Sequence, residues 1–163
     1  MPEDSFLPGE ENSARPFLIY GYGNPGRQDD GLGIALVERL EAWAQAEKMS
    51  GLAFDSNYQL NAEDALAVAE SRAVVFVDAA QEGEGPFAFR PLVPQDKIAF
   101  STHAMSPESV LALAAELYDA HPPAWLLAIR GESWEPNEAP TAAAQAHMAV
   151  AREFLQMWLR NRR

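Results

Sequence analysis

Cysteine is absent from all 163 residues. That excludes a disulfide framework, a thiolate zinc site and a cysteine nucleophile together, and leaves His, Asp and Glu as the side chains able to hold a metal. Positive charge is also scarce. Twelve Lys and Arg stand against 24 Asp and Glu, a formal net charge of minus 12, so a nucleic-acid backbone or an anionic membrane would be repelled over most of the surface and partners are expected to be neutral or basic. No apolar run approaches the roughly 20 residues that span a bilayer. The opening Met1-Pro2-Glu3-Asp4-Ser5 carries no basic segment of the kind that starts a secretory signal. The expectation is a soluble, cytoplasmic protein, a monomer, with no nucleic acid and no membrane among its partners. Internal repeats are missing too, and so is the G-x-S-x-G elbow of a serine hydrolase, for which Ser101 and Ser106 near His103 are poor substitutes.

What is present is enough apolar material, 48% of the chain, for one domain with a sizeable core. Residues 1–15 are polar, acidic and interrupted by Pro2 and Pro8, which predicts a mobile tail ahead of a single domain over residues 16–163. Phe17-Leu18-Ile19-Tyr20 reads as a buried strand, and Ile34, Val37, Leu40 and Ala44 recur at helical spacing behind it. Residues 52–59 form a weaker strand and 62–70 a short alanine-rich helix. Ala73-Val74-Val75-Phe76-Val77 is β-branched and apolar on both faces, as at the centre of a parallel sheet, and it ends in Asp78, with 79–83 read as a turn. Residues 86–91, between prolines, suit an edge strand. Ser106-Pro107-Glu108 supplies an N-cap, a proline at the first position and an acid in the first turn of a helix running to about Tyr118. Residues 124–130 are another strand. Ala143, His147, Val150, Phe154 and Trp158 stripe a closing helix over 141–160. Strands alternating with helices imply a three-layer α/β/α architecture, with a mostly parallel twisted sheet of about five strands.

The chemistry concentrates in Gly21-Tyr22-Gly23-Asn24-Pro25-Gly26-Arg27-Gln28-Asp29-Asp30-Gly31-Leu32-Gly33, where a strand breaks into a glycine-rich turn that delivers two carboxylates just before a helix. In open α/β sheets ligands bind beyond the carboxyl ends of the strands. Asp30, Asp78 and His103 all fall there. Two carboxylates and an imidazole converging from three loops would hold a divalent ion such as zinc, nickel or cobalt with positions left open for water or a ligand. Each residue also has a structural reading: Asp30 as the N-cap of the following helix, Asp78 as a turn former, and His103 as a hydrogen-bonded loop histidine. Asp29 cannot face the same point as its neighbour, so it either orients the loop or caps the helix. His147 is read as a packed residue and His121 as part of a connector. Glycines 21, 23 and 26 match G-x-G-x-x-G, but Pro25 removes an N–H and two acids sit where a pyrophosphate needs donors.

These residues resemble a family. The glycine loop with its paired acids, the Tyr58-Gln59-Leu60 segment with Glu63 just after it, the strand ending in Asp78, and Ser101-Thr102-His103 look like the NiFe-hydrogenase maturation endopeptidases, in the same order and over roughly Phe17 to Trp158. The resemblance implies a protease that removes a C-terminal peptide from the precursor of the hydrogenase large subunit once nickel has been inserted. It places metal binding and catalysis on Asp30, Asp78 and His103, the three residues that the strand-end argument selects. Asn24 and Gln59 become candidate substrate contacts, Asn24 either bonding the substrate or bracing the turn. No tightly bound cofactor is expected, nickel arriving with the substrate and zinc or cadmium serving as surrogates. Gly26, where the family commonly has a bulkier apolar residue, and the acidic N-terminal tail are departures. Two other classes stand beside this one: a non-catalytic binding or chaperone module for the metal-loaded subunit, and a small nucleotide-binding α/β domain.

Overall fold

A computed structural model of the chain describes residues 14–95 and 105–162. His103, its neighbours Ser101 and Thr102, and most of the acidic N-terminal segment lie outside the described residues. Five strands, β1 (Phe17–Tyr22), β2 (Leu52–Asn57), β3 (Ala73–Ala80), β4 (Phe87–Leu92) and β5 (Ala124–Arg130), form one sheet in the order β2-β1-β3-β5-β4. Four are parallel, and β4 runs antiparallel to β5 at one margin. The helices are α1 (Leu32–Ala46), α2 (Asp64–Ala69), α3 (Pro107–Tyr118) and α4 (Ala142–Asn161).

Because side chains alternate along a strand, each strand feeds two cores. Phe17, Ile19, Val75, Val77, Leu127 and Ile129 pack against α1 and α4, while Leu18, Tyr20, Val74, Phe76 and Ala124 pack against α2 and α3. The expected three-layer α/β/α arrangement is therefore the observed one. Ser106 caps α3 through its hydroxyl, which accepts from the Ser109 N–H, with Pro107 in the first turn, as predicted. The edge strand around residues 86–91 is also where expected, with Pro91 and Arg90 exposed.

Three expectations need correction. The strand expected to end in Asp78 continues through Ala80, with Asp78, Ala79 and Ala80 in register with Ala128, Ile129 and Arg130. Neighbouring β5 supplies partners for the ladder that the local Gln81-Glu82-Gly83 turn signal does not reveal. The strand over 52–59 stops at Asn57, whose side-chain oxygen accepts from the Tyr58 N–H and turns the chain. On α4 the buried stripe is Ala144, Met148, Ala151, Leu155 and Leu159, one residue along from the predicted one, and Val150 is exposed. Both registers offer apolar residues. The bulkier Phe154 and Trp158 pack from the flank instead, against Phe89 at 5.0 and 5.1 Å between ring centroids.

The crossing of α1 over the sheet positions everything functional. Strand order reverses between β1 and β3, the switch point at which α/β proteins bind ligands. The first turn of α1 wedges into it: a Cβ on Gly33 would collide with the carbonyl oxygens of Val77, in β3, and of Tyr22, in β1, the latter at 2.8 Å. An exposed helical Gly→Ala change usually stabilises by about 1 kcal/mol. Here the sign should reverse. Gly33→Ala is expected to lower stability by roughly 3 kcal/mol, within the range of overpacked cores, and a urea midpoint at or above that of the wild type would contradict this packing.

Candidate active site

Asp30 is the last acid of a single 3-10 turn, Gln28–Gly31, that joins the glycine loop to α1. Its Oδ2 accepts from the Asn24 N–H at 2.8 Å. The N-cap of α1 is Gly31, and no side chain caps it, so the helix-cap reading of Asp30 does not hold. Gly23, at a φ of +138°, is pressed so closely on the Asp30 carbonyl that no Cβ would fit. The loop amides are already engaged. Asn24 donates to Asp30, Gly26 to the Asn24 side-chain oxygen, Arg27 to the Asn24 carbonyl, Asp29 to the Ser133 carbonyl and Asp30 to the Arg27 carbonyl. A pyrophosphate would need those same donors. The glycine loop is closed on its own chain, which argues against the nucleotide-binding alternative.

Asp78 lies on the α2/α3 face of β3, two residues before the strand ends. Its Oδ1 accepts from the Ala79 N–H at 2.8 Å, and the Tyr22 hydroxyl bonds the same carboxyl group. Burial pushes the Asp78 carboxyl up to about 7, with the Asp30 charge adding to the rise and the Ala79 N–H and Tyr22 hydroxyl opposing it. Burial likewise raises the Tyr22 hydroxyl, and the nearby Asp78 charge adds to it. The structure thus brings two of the three predicted ligands into each other's electrostatic field. The donor set is right for a hard or borderline divalent cation, yet among the described residues there is no group of three His, Cys, Asp or Glu side chains able to hold a metal.

Asn24 has its side-chain oxygen on the Gly26 N–H, the bracing role, and Gln59 is exposed on the loop after β2 with its amide 3.4 Å from the Asn61 side-chain oxygen. That loop adjoins the glycine loop, since the Gly23 N–H donates to the Asn57 carbonyl. Glu63 is exposed at the start of α2 and makes no capping bond. His121 is exposed beside Asp119, and His147 is half-buried with Nδ1 at 2.8 Å from the Arg130 carbonyl, a packed residue as expected.

Two residues near the site carry more than their sequence context suggests. Tyr22 is recognisable only once β1 and β3 are paired, because their register runs to Gly21 with Val77 and leaves Tyr22 and Asp78 as the residues that follow on each strand. Asp29 is fully buried and accepts from the Glu132 and Ser133 N–H groups at 2.7 and 3.0 Å and from the Thr141 N–H and hydroxyl, both at 2.8 Å. Burial alone would raise its carboxyl, but these donors outweigh it and hold the group below the ordinary carboxylate range. Of the two roles open to it, orienting the loop is the one it fills.

No protein-family profile matches the sequence, and neither does any curated protein. Solved structures do. The hydrogenase maturating endopeptidase HybD from E. coli is 21% identical, with a TM-score of 0.68 over 90% of this chain and 93% of its own. The NiFe hydrogenase maturation protease HycI from Thermococcus kodakarensis is 22% identical, with a TM-score of 0.65 over 86% and 90%. A structure from Wolinella succinogenes, an uncharacterised protein, is 19% identical with a TM-score of 0.62 over 91% and 99%. The chain has the fold of these maturation proteases along nearly its whole length.

The raised Asp78 carboxyl makes stability depend on pH with a definite sign. Between the ordinary carboxylate range near 4 and about 7, the unfolded chain has lost this proton while the native chain retains it, so stability falls as pH rises. Asp78→Asn cannot titrate. The wild type should therefore lose up to ~4 kcal/mol relative to Asp78→Asn from pH 4 to pH 7, measured by urea unfolding at each pH; parallel curves would show that Asp78 titrates normally.

Proposed function

We propose that this chain is an endopeptidase that removes a C-terminal peptide from the precursor of the NiFe-hydrogenase large subunit, acting on nickel that the substrate carries. What supports the reading is the action of the Asp30 charge on the Asp78 carboxyl beside the β1/β3 switch point, on a fold shared with proteins named as hydrogenase maturation proteases. Two like charges placed together in a part-buried site are unfavourable until a cation joins them. A substrate that brings its own nickel supplies that cation.

In this reading Asp30 and Asp78 bind the nickel through the carboxylate oxygens left after the Asn24 and Ala79 N–H bonds, with His103 as the third donor. Asn24 braces Asp30 through its backbone and Tyr22 orients Asp78 through its hydroxyl. The nickel polarises the scissile carbonyl or activates a bound water. Hydrolysis then adds hydroxyl to the carbonyl carbon and a proton to the departing amine. Gln59, exposed on the neighbouring loop after β2, is the substrate contact in this reading. An acidic surface favours a basic docking face on the precursor, and a cytoplasmic site of action suits a step that precedes completion of the enzyme. No helix among the described residues is long and apolar enough to cross a membrane.

Incubating nickel-loaded precursor with the protein should shorten the precursor at its C-terminus, read by mass spectrometry. Binding without loss of mass would favour the chaperone alternative. Asp30→Asn, Asp78→Asn and His103→Ala should each reduce processing at least 100-fold while leaving the circular dichroism spectrum unchanged. Full processing by any two of them would end the assignment. Cadmium should raise the melting temperature of the wild type and not of Asp30→Asn.

A further inference from the structure

The 131–141 segment, between β5 and α4, contains no regular secondary structure, yet it is bound along its length to the loop that carries Asp30. The Asn137 N–H donates to the Gly26 carbonyl at 2.8 Å, the Glu135 N–H to Gln28 Oε1 at 3.1 Å, and the Asp29 N–H to the Ser133 carbonyl at 3.1 Å. The Asp29 carboxylate gathers the rest: Oδ2 accepts from the Glu132 and Ser133 N–H groups and the Thr141 hydroxyl, and Oδ1 from the Thr141 N–H. Thr141 also caps α4, its hydroxyl oxygen accepting from the Ala144 N–H. One fully buried carboxylate thus ties the β1 loop to the start of the last helix. Gly131 must stay bare for this, since a Cβ there would stand 2.8 Å from Asp29 Cβ.

Asp29 precedes Asp30 in the same 3-10 turn, so fixing the first side chain inward fixes the direction of the second. We propose that Asp29 is the positioning residue of the site, holding Asp30 in place beside Asp78 by bonding the 131–141 segment as a strap. The proposal deepens the protease reading and rests on it for the identity of the substrate. An amide in place of the carboxylate is a poor substitute: it keeps one acceptor oxygen and turns an NH2 group toward donors that already point at it. At Thr141 the hydroxyl is the working group, which serine keeps and valine lacks.

The test uses Asp29→Asn, Thr141→Val and Thr141→Ser in the full chain, read by amide hydrogen exchange, cadmium affinity and precursor processing. In Asp29→Asn and Thr141→Val the Asn24 and Asp30 amides should exchange at least tenfold faster, with the Val75 and Phe76 amides of β3 changed by less. A general loss of stability would accelerate all of them alike. Cadmium affinity should fall at least tenfold in Asp29→Asn, and kcat/KM for the nickel-loaded precursor with it, and Thr141→Ser should restore what Thr141→Val loses. Equal acceleration everywhere, or undiminished cadmium affinity in a folded Asp29→Asn, would overturn the proposal. If Asp29→Asn does not fold, the Thr141 pair decides: indistinguishable valine and serine variants would overturn it. A wild type that binds cadmium but leaves the precursor intact would instead sink the protease reading, and the exchange and cadmium measurements would still judge Asp29.

Discussion

The buried Asp78 carboxyl, raised by desolvation and further by the Asp30 charge, stands beside the switch point between two adjacent parallel strands, and the surrounding structure holds both acids in place. Neutral donors do the holding: the Asn24 N–H on Asp30, and the Ala79 N–H and Tyr22 hydroxyl on Asp78. Such bonds fix direction without cancelling charge. The loop is fixed by its packing. Gly21, Gly23 and Gly31 are pressed on backbone atoms of the same chain, α1 is wedged against both strands by Gly33, and the buried Asp29 anchors the loop from the other side.

The two adjacent acids differ in fate although their sequence context is nearly the same. Asp29 is surrounded by amides and a hydroxyl that hold it below the ordinary carboxylate range, while Asp30, in the same turn, accepts from the Asn24 N–H and acts on the Asp78 carboxyl. Environment, not residue type, sets the division of labour.

Local signals were readable wherever the determining partners are close in sequence. Ser106-Pro107-Glu108 marks its helix because cap, proline and acid act within one turn, and the strand at Ala73–Val77 shows itself by composition. The layer architecture follows from the alternation of such elements. What was illegible depends on distant partners. The last two residues of β3 are strand because β5 lies beside them, the buried stripe of α4 is set by the core cluster it meets while Phe154 and Trp158 pack on the aromatic rings of β4 and β5, and the donors to Asp29 come from over a hundred residues away. Asp30 and Asp78 could be nominated from their places after strands, but their mutual influence and the part played by Tyr22 require the pairing of β1 with β3.

The margins of the sheet bear on how another polypeptide can approach. On one side β4 is short, exposes Arg90 and carries Pro91, which has no amide hydrogen to offer; on the other, β2 finishes in exposed Asp55, Ser56 and Asn57. Neither border is a good template for lateral recruitment of a foreign strand, a design that also guards against self-association into fibres. On the protease reading, a client chain would meet the loops at the crest of the sheet, and variation in client preference is to be sought there while the lateral borders stay inert.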